Sequence, residues 1–139
     1  MYEKNLVTKS PTGESVAHHE KLTVTNSTWP PLVHMSKDLV PGAPIAIVWR
    51  WVWGMPEPAD HMPRHKHSSA EVLFHVGNDP YHPEDLGGEL EFTVGTEKLI
   101  INKTSALYIP GGVEHCPLKW HRVDRPHLQI ALEVGGKYD

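Results

Sequence analysis

Two histidines two residues apart, His65 and His67, and a glutamate four further on, Glu71, stand in the stretch PRHKHSSAEVLF (residues 63–74). Side chains alternate between the faces of a strand, so His65, His67, Glu71 and His75 have the same parity. They meet on one face if a turn near SSA preserves the count. An ionised carboxylate buried alone is costly, whereas imidazoles and a carboxylate converging on a divalent cation satisfy one another. His65 and His67 by themselves fit equally well as polar residues on the wet face of an antiparallel sheet. A second segment shifts the balance. In YIPGGVEHCPLKW (108–120), Pro110-Gly111-Gly112 reads as a turn with proline at its second position and glycine supplying a positive φ at its third. His115 follows directly, a third imidazole at the start of another strand.

The elements that must position these residues read as β-structure. Thirteen prolines and eleven glycines chop the chain into short pieces, and no stretch keeps helical periodicity for more than about two turns. APIAIVWRWVWG (43–54) alternates Ile45, Ile47, Trp49, Trp51 and Trp53 with Ala46, Val48, Arg50 and Val52. Both rows are apolar enough for a central strand. Further strands are expected at 71–76, 88–94, 98–101, 105–110 and 127–134, separated by turn-rich segments. Six or more short strands imply an all-β, single-domain barrel or double-sheet sandwich, occupying residues 43–139. Residues 1–42 are less regular and are expected to wrap that barrel or to add an edge strand to a neighbouring subunit.

The remaining composition bounds the partners. The 139 residues, 39% hydrophobic and 22% charged, describe one globular domain, and a net charge of −4 with scattered Lys and Arg argues against a nucleic-acid partner. No stretch approaches the roughly 18 apolar residues of a membrane span. One cysteine, Cys116, excludes an internal disulfide, and the N-terminus shows no apolar run of a secretory signal, so a cytoplasmic location is expected.

His-x-His, three residues, Glu, then Pro-x-Gly-x2-His about 40 residues later, together resemble the cupin superfamily over residues 45–134. His65, His67, Glu71 and Gly77 match the first motif, with Ala59 at its leading glycine and Gly77 one residue early. Pro110, Gly112 and His115 match the second, with Thr104 at the leading glycine and Lys119 at the final asparagine. The segment between the motifs is lengthened by NDPYHPEDLGG. The resemblance implies a double-stranded β-helix, the cupin jelly-roll barrel, often a homodimer. It also implies one divalent metal ion per chain on His65, His67, Glu71 and His115, with two positions left for water or substrate. Imidazole plus carboxylate ligation suits Fe(II), Mn(II), Ni(II) or Zn(II), and ligand type alone does not choose among them; Fe(II) or Mn(II) is expected, with Zn or Ni possible as purified.

Other residues have two readings. Glu71 or His75 is expected to handle a proton as a catalytic group. Gln129, His127 and Tyr108 lie on strands able to face inward and are candidates for the substrate pocket, with Trp49 and Lys119. The Trp49, Trp51 and Trp53 row reads better as core or subunit interface than as a stacking platform. Arg50 and Lys119 suit an anionic substrate or solvent, His61 reads as a surface residue, and parity directs Cys116 away from the metal as a small hydrophobe. The expected function is a metal-dependent enzyme, dioxygenase-like or a lyase or isomerase, acting on a small oxygen-bearing anion. The alternatives are a non-catalytic metal- or ligand-sensing module and a dimer carrying a structural zinc.

Overall fold

The computed structural model describes residues 1–10, 22–59 and 61–137. Residues 11–21 of the N-terminal segment, and residues 60, 138 and 139 of the barrel segment, lie outside them. Among the described residues, nine strands follow a 3-10 turn at Glu3–Asn5: β1 Thr25–Ser27, β2 Leu32–Met35, β3 Ile45–Glu57, β4 Glu71–Gly77, β5 Asp85–Val94, β6 Glu97–Lys103, β7 Ser105–Ile109, β8 His115–Val123 and β9 His127–Val134. They form two facing antiparallel sheets. The larger runs β1-β3-β9-β4-β7, with β2 also on β3, and the smaller runs β6-β5-β8. No described helix is long and apolar enough to cross a membrane.

Alternation along each strand decides what lies between the sheets. From the smaller sheet, Leu90, Phe92, Leu118 and Trp120 point inward and are almost fully buried. From the larger sheet the inward rows are Ala46, Val48, Arg50 and Val52 on β3, Glu71, Leu73 and His75 on β4, and His127, Gln129, Ala131 and Glu133 on β9. The tryptophan row of β3 is therefore not core. Trp49 and Trp51 are half-buried on the outer face, and Trp53 is 52% exposed.

Both N-terminal strands lie on this chain's own β3, β1 through Thr25 and Ser27 and β2 through Leu32, Val33 and Met35. Strand β8, which sequence reading reduced to its first residue, runs on to Val123 beside β5. Its opening residue is also bridged to the loop before β4, because the amides of His65 and His115 each donate to the other's carbonyl, at 3.0 and 2.8 Å.

The turn that delivers His115 differs by one place from expectation. Val113 N–H donates to Pro110 O (3.3 Å), so Pro110 is the first residue of the turn, and the positive φ falls at Gly112 (80°). Gly112 N–H in turn donates to His67 O at 2.7 Å. A Cβ on Gly111 would collide with the Ser68 carbonyl oxygen, so glycine there permits the two motif-bearing segments to touch. Gly111→Ala is expected to cost about 1.5–2.5 kcal/mol and to lower the melting temperature by roughly 5–10 °C. Calorimetry checks this, and an unchanged melting temperature would show that the turn moves aside freely.

Candidate metal centre

His65 and His67 stand in the extended loop ahead of β4, Glu71 opens β4, and His115 opens β8. The structure brings all four together. The three imidazole rings lie 4.8 Å (His65 and His67), 4.5 Å (His65 and His115) and 5.1 Å (His67 and His115) apart, centre to centre. Glu71 Oε2 is 3.4 Å from His67 Nε2 and 3.3 Å from His115 Nε2. Backbone carbonyls fix two of the rings: Nδ1–H of His65 donates to Pro63 O (2.6 Å) and Nδ1–H of His115 to Val113 O (2.9 Å). That leaves each Nε2 as a lone-pair donor aimed at the cluster, the arrangement in which an outer hydrogen bond orients a metal-ligating imidazole.

Donors about 2.1 Å from a shared ion stand roughly 3.0–3.4 Å apart, and the two distances from Glu71 Oε2 match that. Glu71 Oε2 and His115 Nε2 are buried with no hydrogen-bond partner, a costly state that a bound cation would relieve. The residues therefore fit a divalent metal ion of the kind that nitrogen and carboxylate ligands prefer.

Sequence reading missed a fifth member. Glu133, fully buried, lies directly across from Glu71 in the pairing of β9 with β4. Its Oε1 is 3.5 Å from His67 Nε2, and its Oε2 accepts from Ser69 Oγ–H at 3.1 Å. The donor atoms of His67, Glu71 and Glu133 lie within 4.8 Å of one another. The signal was present in HLQIALEV, where a carboxylate holds an inward position of an apolar strand, the same anomaly that singled out Glu71. The two carboxyls separate in acidity. Burial pushes Glu71 up, but the imidazoles of His115 and His67 beside it outweigh that and hold it well below the carboxylate range. Burial and the neighbouring Glu71 charge push Glu133 well above that range.

Other candidates fall elsewhere. His75 shares the face of Glu71, but four residues along a strand put it about 13 Å away. Its Nε2 accepts from Gln129 Nε2–H at 3.0 Å, so it touches no metal-site residue there. Tyr108 points outward and is 63% exposed, because its neighbour Ile109 takes the inward position opposite Glu71. Lys119 is exposed between the inward Leu118 and Trp120. His127 is fully buried, with Nε2 accepting from Trp120 Nε1–H at 3.3 Å. Trp49 borders the cavity, its indole N–H donating to His34 Nδ1 at 2.8 Å. His61 is a core residue, 2% exposed, and Cys116 lines the same cavity as His115. The parity argument fails at Cys116 because its φ of 74° falls at a bulge where β8 slips against β5. Burial pushes its thiol up to about 12, so it is an inert small hydrophobe.

A cavity open to solvent is lined by His65, Glu71 and His115. Leu73, Phe92 and Leu118 form its apolar wall, and Arg50 and Gln129 reach it as well.

The sequence matches no protein-family model and no curated protein. Solved structures match in fold. A predicted oxalate decarboxylase from Thermotoga maritima is 12% identical, with 75% of this chain and 77% of that one covered at a TM-score of 0.53. A cupin-2 domain from Rhodospirillum rubrum is 13% identical over 86% and 67%, with a TM-score of 0.52. The Fe(II) form of HppE is 13% identical over 74% and 48%, with a TM-score of 0.51. The chain has the cupin fold. Its two motifs fall where that fold brings the loop before β4 against the start of β8, so the sequence resemblance and the geometry coincide.

Two predictions follow from this cluster. His65→Ala and His115→Ala are each expected to remove most bound metal, read by mass spectrometry of the purified protein. Glu133→Gln is expected to retain it, since three imidazoles and Glu71 persist. Metal content unchanged in both alanine variants would show that the ligands lie elsewhere. The second prediction concerns acid. Burial and the neighbouring His127 and Arg50 charges hold His75 at about 3, and burial with Arg50 holds His127 at about 4, against 6.5 ordinarily. Below about pH 6.5 the unfolded chain takes up a proton at each site and the folded chain does not, so stability falls by about 1.4 kcal/mol per pH unit per residue until pH nears 4. His75→Gln should therefore lose about 2 kcal/mol less than the parent between pH 6.5 and 5, measured by denaturant unfolding. An identical loss in both proteins would place the proton uptake elsewhere.

Proposed function

We propose that this cupin is a metal-dependent enzyme that acts on a small, oxygen-bearing anionic molecule. One observation carries the reading: the candidate ligands His65, Glu71 and His115 line a cavity that opens to solvent instead of being closed over by protein. Structural zinc sites are closed and favour thiolates, whereas catalytic metal sites keep an accessible position. The donor set suits Fe(II) or Mn(II). Once bound, such an ion supplies Lewis-acid polarisation of a substrate oxygen or a site for O2.

The chain's own residues do the rest. Pro63 and Val113 carbonyls orient the His65 and His115 rings, so the ligand face is set before anything binds. Phe92, Leu73 and Leu118 form an apolar wall that limits water beside the reacting atoms. Proton handling does not fall to His75, whose ring faces Gln129, nor to Glu71 while it serves as a ligand. Glu133 is the carboxylate that remains. Ser69 anchors its Oε2, and its Oε1 faces the cluster in position to exchange a proton with a ligand there.

Incubation of the Fe(II)- and Mn(II)-loaded protein with a panel of small hydroxy and oxo acids, with and without O2, tests this. Metal-dependent consumption is expected, at least 100-fold slower in Glu133→Gln with metal content unchanged. Consumption that needs O2 identifies a dioxygenase-type reaction; consumption without it identifies a lyase or isomerase. Binding with no turnover across the panel would overturn the enzyme reading in favour of a sensing module.

A further inference from the structure

The inward rows of the larger sheet stack in tiers fixed by strand register. Glu71 and Glu133 lie opposite each other at the level of the imidazole cluster. Two residues along, Leu73, Ala131 and Val48 form an apolar tier. Two further along, His75, Gln129 and Arg50 form a second polar tier, about 13 Å from the first at the backbone. The cavity lined by His65, Glu71 and His115 also reaches Arg50 and Gln129, so it spans the apolar tier.

The second polar tier is satisfied within the protein. Arg50, 2% exposed, donates from Nε–H to Gln129 Oε1 at 2.7 Å and from Nη1–H to His61 Nε2 at 2.8 Å. Pro58 O fixes that tautomer of His61 by accepting from Nδ1–H at 2.7 Å. The guanidinium also lies over two indoles, 5.3 Å from the ring centre of Trp29 and 5.2 Å from that of Trp120. Gln129 spends its amide N–H on His75 Nε2 at 3.0 Å, and Trp49, at the same cavity, spends its indole N–H on His34. A second charge on a ligand would lose its water here without gaining a donor aimed at it.

The rest of the wall is apolar. Val48, Leu73 and Ala131 supply it from the larger sheet, and Phe92 and Leu118 from the smaller. The ring centre of Phe92 is 6.1 Å from that of His115, so apolar surface begins beside the cluster itself. A pocket with polar groups at one end and an apolar body is built for a ligand of the same description.

We infer that the substrate is a monoanionic acid with a short aliphatic side chain, its chelating oxygens at the imidazole cluster and its side chain in the tier of Val48, Leu73 and Ala131. An acid that carries a second carboxylate into that tier is selected against. Ala131 is the specificity-determining residue, because the smallest side chain of the wall leaves the room that the aliphatic group fills. The inference rests on the metal-dependent reading above and adds the class of substrate.

The test uses the full chain loaded with Mn(II) and three acids that share a 2-hydroxy carboxylate end: lactate, 2-hydroxypentanoate and 2-hydroxyglutarate. Isothermal titration is expected to show 2-hydroxypentanoate binding about tenfold tighter than lactate, as two further buried methylenes imply. It should also bind at least tenfold tighter than 2-hydroxyglutarate, which has the same length and a carboxylate in place of the terminal methyl. Ala131→Leu is expected to abolish the advantage over lactate, with lactate binding and Mn(II) content unchanged. Binding of 2-hydroxyglutarate as tight as that of 2-hydroxypentanoate, or no advantage of 2-hydroxypentanoate over lactate, would overturn the inference while leaving the metal reading intact. An advantage that survives in folded Ala131→Leu would overturn the placement of the side chain, and the comparison in the unaltered protein decides the class even if that variant fails to fold. Failure of the protein to hold Mn(II), Fe(II) or any other divalent ion would overturn the metal reading and this inference with it.

Discussion

Carboxylates and a guanidinium buried between two apolar sheets constrain everything else in this molecule. Removing an isolated ion from water is far more expensive than the few kcal/mol by which a domain of this size is stable. Each buried polar group must therefore be answered by another. At one level of the barrel, Glu71 is answered by the imidazoles of His67 and His115. At the other, Arg50 lies beside two indole faces and donates to Gln129 and His61. The apolar tier of Val48, Leu73 and Ala131 keeps these groups from collapsing onto one another. That separation is what leaves a cavity with distinct ends.

Backbone pairing, more than side-chain packing, brings the cluster together. His65 and His115 come from segments 50 residues apart in a 139-residue chain, yet reciprocal backbone hydrogen bonds hold them at adjacent positions. The turn at Pro110–Val113 is tied to the same loop through Gly112 and His67. Because main-chain atoms set the geometry, the imidazoles are aimed whatever occupies the cavity, and the residues around it are free to set specificity.

The four residues with metal-binding chemistry were legible in the sequence because their types and spacing are unusual for strands. So were the all-β architecture and most strand positions, because period-two alternation and turn residues survive in single sequences. Which row of a two-sided apolar strand faces inward was not legible. In β3 the larger, more aromatic row faces out, since the inner row must make room for Arg50 and a cavity. Parity also failed where the backbone leaves the extended region: Cys116 turns inward at a bulge that no residue type announces. Glu133 was overlooked for the opposite reason. A lone glutamate in a strand gives no spacing motif, and its meaning emerges only once register sets it against Glu71.

Histidines at different depths of one barrel carry out different chemistry, and burial decides which. His65 and His115 each spend Nδ1–H on a carbonyl and turn Nε2 to the cluster. His61 likewise spends Nδ1–H on a carbonyl, but its Nε2 meets a guanidinium and acts only as an acceptor. His75 and His127 accept from Gln129 and Trp120 and are kept neutral by burial beside Arg50. Neutrality there is a condition of the arrangement, because a second cation in that tier would oppose the first at close range in a medium of low dielectric. The same ring thus turns a lone pair to the imidazole–carboxylate cluster at one level and to an arginine at the other. The field along the cavity follows from which of the two each lone pair meets.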